Sequence, residues 1–163
     1  IVQSLVGSEM CIRDRDRLKR INEENLYPIE EYANDPDWVL SDKVIPGSVE
    51  AIQSLSEDHE INWLSARKEN LLDATNHWLK DNKFVVNKVF LLKSLKEKIN
   101  FLEQNQPSIF IDDLQYDFFS MHPKKATKII KELKLKKIKF VRFEGDWGKT
   151  LKKIRELESC LKK

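Results

Sequence analysis

Short apolar segments alternate with amphipathic helical segments along most of the chain. Strands are expected at 61–65, 85–92, 108–111 and 138–143. Helices are expected at 48–55, 69–81, 95–103, 124–135 and 149–161, where apolar residues recur at helical spacing. The strand at 108–111 is apolar enough to be buried on both faces. This order predicts an α/β fold with right-handed crossovers and a mostly parallel sheet covered by helices.

In such sheets, ligands bind beyond the carboxyl ends of the strands. The first predicted strand ends in Ser65, and Arg67 follows two residues later. A hydroxyl and a guanidinium at this place can both hydrogen-bond a phosphoryl oxygen. The alternative is structural, because a serine here can equally cap the helix that begins near Glu69.

Three carboxylates follow the third predicted strand within the segment DDLQYD. They are Asp112, Asp113 and Asp117. Adjacent carboxylates at the tip of a buried strand are costly unless a cation lies beside them. Mg²⁺ prefers oxygen ligands and binds phosphate at the same time. The spacing therefore favours a magnesium site, although aspartate is also common in capped turns.

These segments, in this order, resemble the haloacid dehalogenase-like (HAD) hydrolase superfamily over about residues 45–154. The segment IPGSVEAIQSLSEDHEINWLSAR resembles the helix and strand that end in motif II. KINFLEQNQPSIFIDD resembles the motif III lysine, its helix and the motif IV strand, and DDLQYD matches the DD-xxx-D form of motif IV. WLSARKENLLDATNHWL is similar to small bacterial and phage members near the 5′-nucleotidases.

The resemblance implies a three-layer Rossmann-like parallel sheet and a Mg²⁺-dependent phosphomonoesterase that forms an aspartyl-phosphate. It implies that Ser65 is the hydroxyl that binds phosphate. By spacing, Lys98 is the best motif III lysine, with Lys96 and Lys93 as weaker candidates. Arg67 is expected to bind substrate phosphate, or otherwise to pair with a nearby acid or face solvent.

The resemblance also assigns the metal ligands. Asp113 is expected to bind Mg²⁺ directly, with Asp112 and Asp117 acting nearby or through water. The expected substrate is a small phosphorylated molecule, with a nucleotide suggested by analogy alone.

The family's motif I is missing from this chain. Motif I is a strand followed by Asp-x-Asp, usually with glycine next, whose first aspartate attacks phosphorus and whose second acts as general acid and base. No Asp-x-Asp-Gly occurs in the sequence. We therefore expect the central strand, between the motif II and motif IV strands, to be absent and the chain to be inactive and to fold poorly.

The N-terminal segment differs from the rest of the sequence. LVGSEMCIRD resembles a translated sequencing adapter, which predicts that residues 1–15 are not native, that 16–44 are a remnant of a small cap and linker, and that 45–163 form the core. Alternatively, Met10 to Arg13 could occupy the central strand position and bring Asp14 and Asp16 near Asp113.

Composition limits the partners. The 29 basic and 27 acidic residues give a net charge of +2, which argues against capture of nucleic acid by the chain as a whole. No apolar run of about 20 residues predicts a membrane span. Two cysteines form no framework, which favours a reducing, cytoplasmic setting.

Two other functions remain possible from the sequence. One is a receiver-like domain. It is disfavoured because the adjacent acids of receiver domains follow the first strand, whereas Asp112 and Asp113 follow the third predicted strand. The other is a catalytically inactive HAD-like scaffold that binds nucleic acid or protein through its basic C-terminal face.

Overall fold

Five short strands form one sheet in the computed structural model, which describes residues 2–4, 35–65, 67–92, 95–113 and 123–159. The strands are β1 (Val2–Ser4), β2 (Asn62–Ser65), β3 (Lys88–Leu91), β4 (Phe110–Asp112) and β5 (Phe140–Arg142). The α-helices of these residues are α1 (Pro36–Ser41), α2 (Ser48–Ser56), α3 (Leu72–Asp81), α4 (Leu95–Asn105), α5 (Pro123–Leu135) and α6 (Trp147–Ser159). A 3₁₀ turn, Glu69–Leu71, precedes α3.

The sheet is parallel throughout, with the strand order β3-β2-β1-β4-β5. The alternating strand and helix order predicted this arrangement, and the α/β class is confirmed. Every strand that the sequence predicted is present, although each is shorter than its apolar run. The carboxyl ends of all the strands therefore lie at one edge of the sheet.

The central strand position is filled by Val2–Ser4, which belong to the segment predicted to be non-native. The expectation that the neighbouring strands face a gap is therefore wrong. Val2 pairs with Asn62 of β2 on one side and with Phe110 of β4 on the other. An extended tripeptide here gives the inner edges of β2 and β4 a backbone partner, which buried N–H and C=O groups require. The alternative occupant, Met10 to Arg13, lies outside the described residues.

Apolar side chains of the sheet point alternately to two hydrophobic clusters. Within β2, Trp63 belongs to one cluster and Leu64 to the other, and Ile111 and Phe110 divide in the same way. Helices α1, α2, α3 and α6 contribute buried residues to the first cluster, and α4 and α5 to the second. Burial on both faces explains why β2 and β4 read as nearly continuous apolar runs.

Two buried tryptophans connect the first cluster to the backbone around it. The Trp63 indole donates a hydrogen bond to the Val85 carbonyl at 2.9 Å, and the Trp78 indole donates to the Asp42 carbonyl at 2.8 Å. Phe84 packs edge-on against Trp63, with ring centroids 5.2 Å apart, and stacks on Trp78 at 5.5 Å. Because both indole N–H groups have partners, the rings are buried without a polar penalty, and α3 is tied to the end of α1.

No helix in the described ranges is both long and apolar enough to cross a membrane.

Lys83 ends α3 in a left-handed backbone conformation, with φ of +62°. A residue other than glycine in this conformation costs about 1–2 kcal/mol of folded-state strain. Glycine removes that strain, but it loses about 0.5–1 kcal/mol more conformational entropy on folding. Lys83→Gly is therefore expected to raise the free energy of unfolding by about 0.5–1 kcal/mol, measured by urea denaturation. The control Lys80→Gly, inside the last turn of α3, should lower it by about 1 kcal/mol. Equal destabilisation by both variants would contradict the strain at Lys83.

Candidate functional site

Ser65 and Asp113 lie level with each other at the carboxyl edge of the sheet. Val2 is in register with both Asn62 and Phe110, and Ser65 and Asp113 each follow by three residues. One strand lies between them, so their backbones are about 10 Å apart at the usual strand spacing. The fold thus brings the predicted hydroxyl, Ser65, and the predicted carboxylate, Asp113, to the same edge of the sheet.

Ser65 is buried at the end of β2, with 5% of its surface exposed. Its Oγ accepts a hydrogen bond from the Arg67 backbone N–H at 3.2 Å. The hydroxyl thus closes the turn after β2, and it does not cap the helical segment near Glu69, whose N-cap residue is Lys68. A hydroxyl also carries a proton to donate, so the same Oγ can serve a phosphoryl oxygen.

Arg67 lies in a buried ion pair rather than on Glu69 or in solvent. Its Nη2 is 2.7 Å from Asp42 Oδ2, and the two side chains are 8% and 4% exposed. Its Nη1 lies 3.4 Å from the Thr75 hydroxyl of α3. The guanidinium therefore joins the residue after α1 to the loop after β2, and a substrate phosphate would have to share it with Asp42.

The sequence did not predict the role of Asp42. It is 25 positions from Arg67, and its neighbours form no motif that indicates an ion pair. Local spacing cannot reveal a contact that only the packing of α1 against α3 creates.

Lys98 and Asp112 form a second buried pair. Lys98 Nζ lies 3.2 Å from Asp112 Oδ2, and the side chains are 5% and 1% exposed. Asp112 shares a face of β4 with Phe110, because side chains alternate along a strand, and that face is covered by α4, which carries Lys98. Of the three candidate lysines, Lys98 is thus the one beside the acids, whereas Lys96 is exposed on α4 and Lys93 lies outside the described residues.

Asp113 is half-buried directly after β4. Asp117, the third predicted metal ligand, lies outside the described residues. Within the ranges that the structure describes, no group of three or more His, Cys, Asp or Glu residues could hold a metal ion. The two carboxylates that are described fit Mg²⁺ in kind, since it prefers oxygen ligands, and Lys98 already balances one of their charges.

The central strand brings no carboxylate to this edge. β1 ends at Ser4, and the sequence continues with Leu5, Val6 and Gly7. None of these three residues is the aspartate that the resemblance expects directly after the central strand.

The chain matches no protein-family model, no curated protein and no solved structure.

Proposed function

We propose that this chain is the larger part of a Mg²⁺-dependent phosphomonoesterase of HAD type that lacks its nucleophile. The observation that carries the proposal is the buried Lys98–Asp112 pair beside Asp113, at the same edge of the sheet as Ser65. Helices on both faces of a parallel sheet support the proposed three-layer arrangement. The order of Ser65, Lys98 and the adjacent aspartates along the chain further supports the proposed function.

Each residue would have a distinct task. The Ser65 hydroxyl and the Lys98 ammonium would donate hydrogen bonds to the phosphoryl oxygens as negative charge accumulates there. Asp112 would hold the Lys98 side chain in place, since the two groups are already 3.2 Å apart. Asp113, with Asp117, would hold Mg²⁺, which supplies positive charge that shields the phosphate.

The nucleophile would come from a motif I aspartate after the central strand, where this chain has Leu5. A second aspartate two positions further would protonate the leaving oxygen and then activate water. Arg67 would remain on Asp42 and contribute to the rim of the pocket. The substrate would be a small phosphorylated molecule, such as a nucleotide.

The test requires the coding sequence upstream of Asp16, recovered from the source DNA and joined to the present core. Purified protein carrying an apolar strand and Asp-x-Asp should hydrolyse p-nitrophenyl phosphate in the presence of Mg²⁺. The present chain should show no hydrolysis above background. Asp113→Asn in the extended protein should reduce kcat/KM by about 10–100-fold or more, the range typical of disturbing the groups around a bound metal.

Asp58→Asn is the matched control, because Asp58 is exposed in the turn after α2 and its loss changes the charge equally. It should leave the rate unchanged. Equal activity in Asp113→Asn and Asp58→Asn would count against the metal assignment, and an upstream sequence without Asp-x-Asp would count against the enzyme.

A further inference from the structure

One segment of the molecule is strongly basic although the chain as a whole is nearly neutral. Residues 123–139 contain eight lysines and one acidic residue, Glu132. Because the net charge of the whole chain is +2, the remaining residues together carry a net negative charge. The small net charge of the whole chain is therefore the sum of a basic segment and an acidic remainder.

Four of these lysines are exposed at intervals of three residues: Lys128, Lys131 and Lys134 on α5, and Lys137 in the turn that follows. We call them the α5 lysine face. Side chains three apart on a helix are neighbours, and each step of three residues turns about 60° around the axis. The three lysines on α5 therefore form an oblique row that rises about 9 Å from Lys128 to Lys134. The three helical lysines therefore form an oblique band of positive charge on the side of α5 opposite the buried Ile129 and Leu133.

The α5 lysine face has no ion-pair partner among the described residues. The adjacent Lys136 is different, since it contacts Glu103 of α4. Like charges on adjacent helix positions repel one another. An external polyanion that lies along the row would remove this repulsion.

We propose that the α5 lysine face binds the sugar-phosphate backbone of a nucleic acid duplex. A duplex presents one negative charge for about every 1.7 Å of its axis, so lysines spread over about 9 Å of α5 and the turn after it can meet several phosphates at once. Lysines act as point charges on phosphate and read no sequence. Binding without base specificity is therefore expected.

The surface does not suit single strands or membranes. The exposed large hydrophobic side chains of the described residues are Leu40 and Leu135, and neither is aromatic. Single-strand binding depends on aromatic side chains that stack on bases. A membrane-bound helix needs a broad apolar face for the lipid, whereas the apolar face of α5 is buried in the second cluster, with Ile129 and Leu133.

The inference does not depend on the proposed phosphatase, because its test measures binding alone. Anisotropy of a labelled duplex of about 20 base pairs is recorded against salt, and four neutralised phosphates predict a slope of log K against log salt of about −3 to −4. The triple variant Lys128→Gln, Lys131→Gln, Lys134→Gln should bring this slope to about −1.

The matched control removes three exposed lysines elsewhere: Lys80→Gln, Lys88→Gln and Lys152→Gln. It has the same net charge as the first variant and should keep the slope of the unmodified chain. Equal losses in the two triple variants would overturn the proposal, because only net charge would then matter. Tighter binding to the single strand, or to vesicles of anionic lipid, than to the duplex would also overturn it.

A single variant separates binding from folding. Lys137 has φ of +58°, a conformation that favours glycine, so Lys137→Gly removes one charge and relieves backbone strain. It should weaken duplex binding and reduce the slope by about 0.9 while the melting temperature stays equal or rises. An unchanged slope would exclude Lys137 from the face and contradict the proposal.

Discussion

Replacing Gln3 with proline is expected to lower the free energy of unfolding by at least about 2 kcal/mol. Gln3 is the middle residue of β1 and is in register with Trp63 on one side and Ile111 on the other. Because β1 has a neighbour at each edge, the Gln3 N–H faces a strand whichever way it points. Proline removes that donor and leaves a buried carbonyl unpaired, which costs about 1–3 kcal/mol, and its ring crowds the adjacent strand.

The loss is large for this chain, because a domain has only about 5–15 kcal/mol of stability in total. Urea denaturation followed by tryptophan fluorescence measures it, since Trp63 lies beside Gln3 in the sheet and is fully buried. The matched variant Gln3→Val keeps the N–H and favours an extended backbone. It should be as stable as the unmodified chain, or slightly more stable.

Two results would contradict a central β1. Equal stability of Gln3→Pro and Gln3→Val would show that residues 2–4 do not hold β2 and β4 together. A gradual, non-cooperative transition in the unmodified chain would favour the sequence-based expectation that the central strand is lost. A sharp transition, in contrast, would show that a short extended segment can replace the missing motif I strand.

The sequence predicted the alternation of strands and helices because burial on both faces makes each strand a distinct apolar run. It did not predict where the strands end. The run at 85–92 pairs only at Lys88–Leu91, because Val85 and Val86 pack against the first cluster and the Val85 carbonyl accepts the Trp63 indole. Side-chain packing and a hydrogen bond, not strand pairing, account for the rest of that run.

A different reason explains why β1 was not predicted. Nothing in Val2–Ser4 marks a strand by itself, and three residues are too few for a pattern. Its place is decided by β2 and β4, whose inner edges need partners. The Arg67–Asp42 pair was likewise invisible, since packing of distant elements creates it. The resemblance favoured Lys98 over Lys96 by motif spacing, and the structure places Lys98 beside Asp112 at the end of β4 and leaves Lys96 exposed.

The buried Lys98–Asp112 pair should be the most sensitive polar contact of the described residues. Lys98→Met is expected to lower the free energy of unfolding by about 3–5 kcal/mol, because it removes the ammonium beside a carboxylate that stays buried. Asp112→Asn should cost a similar amount, since it leaves the buried ammonium without its carboxylate. The double variant should be more stable than the sum of the two losses predicts, as contacting residues are not additive.

Lys153 and Glu144 provide the control pair, 2.9 Å apart with both side chains about half exposed. The hydrogen bond and the charge of Lys153 lower the pKa of Glu144, so any stabilisation is present above the ordinary pKa and is lost as the pH falls through the lowered one. Solvent screens this pair, and Lys153→Met should change stability little at neutral pH.

If Lys98→Met is no more harmful than Lys153→Met, the Lys98–Asp112 pair is not a desolvated contact. The proposal would then lose its main support, because only a lysine held firmly by Asp112 is already in place when a phosphoryl group arrives. If the loss is large, Lys98 is held at the edge of the sheet before any ligand binds. Its ammonium would then be shared between Asp112 and a phosphoryl oxygen. The negatively charged phosphoryl group would meet a cation that is already in position and needs no reorganisation.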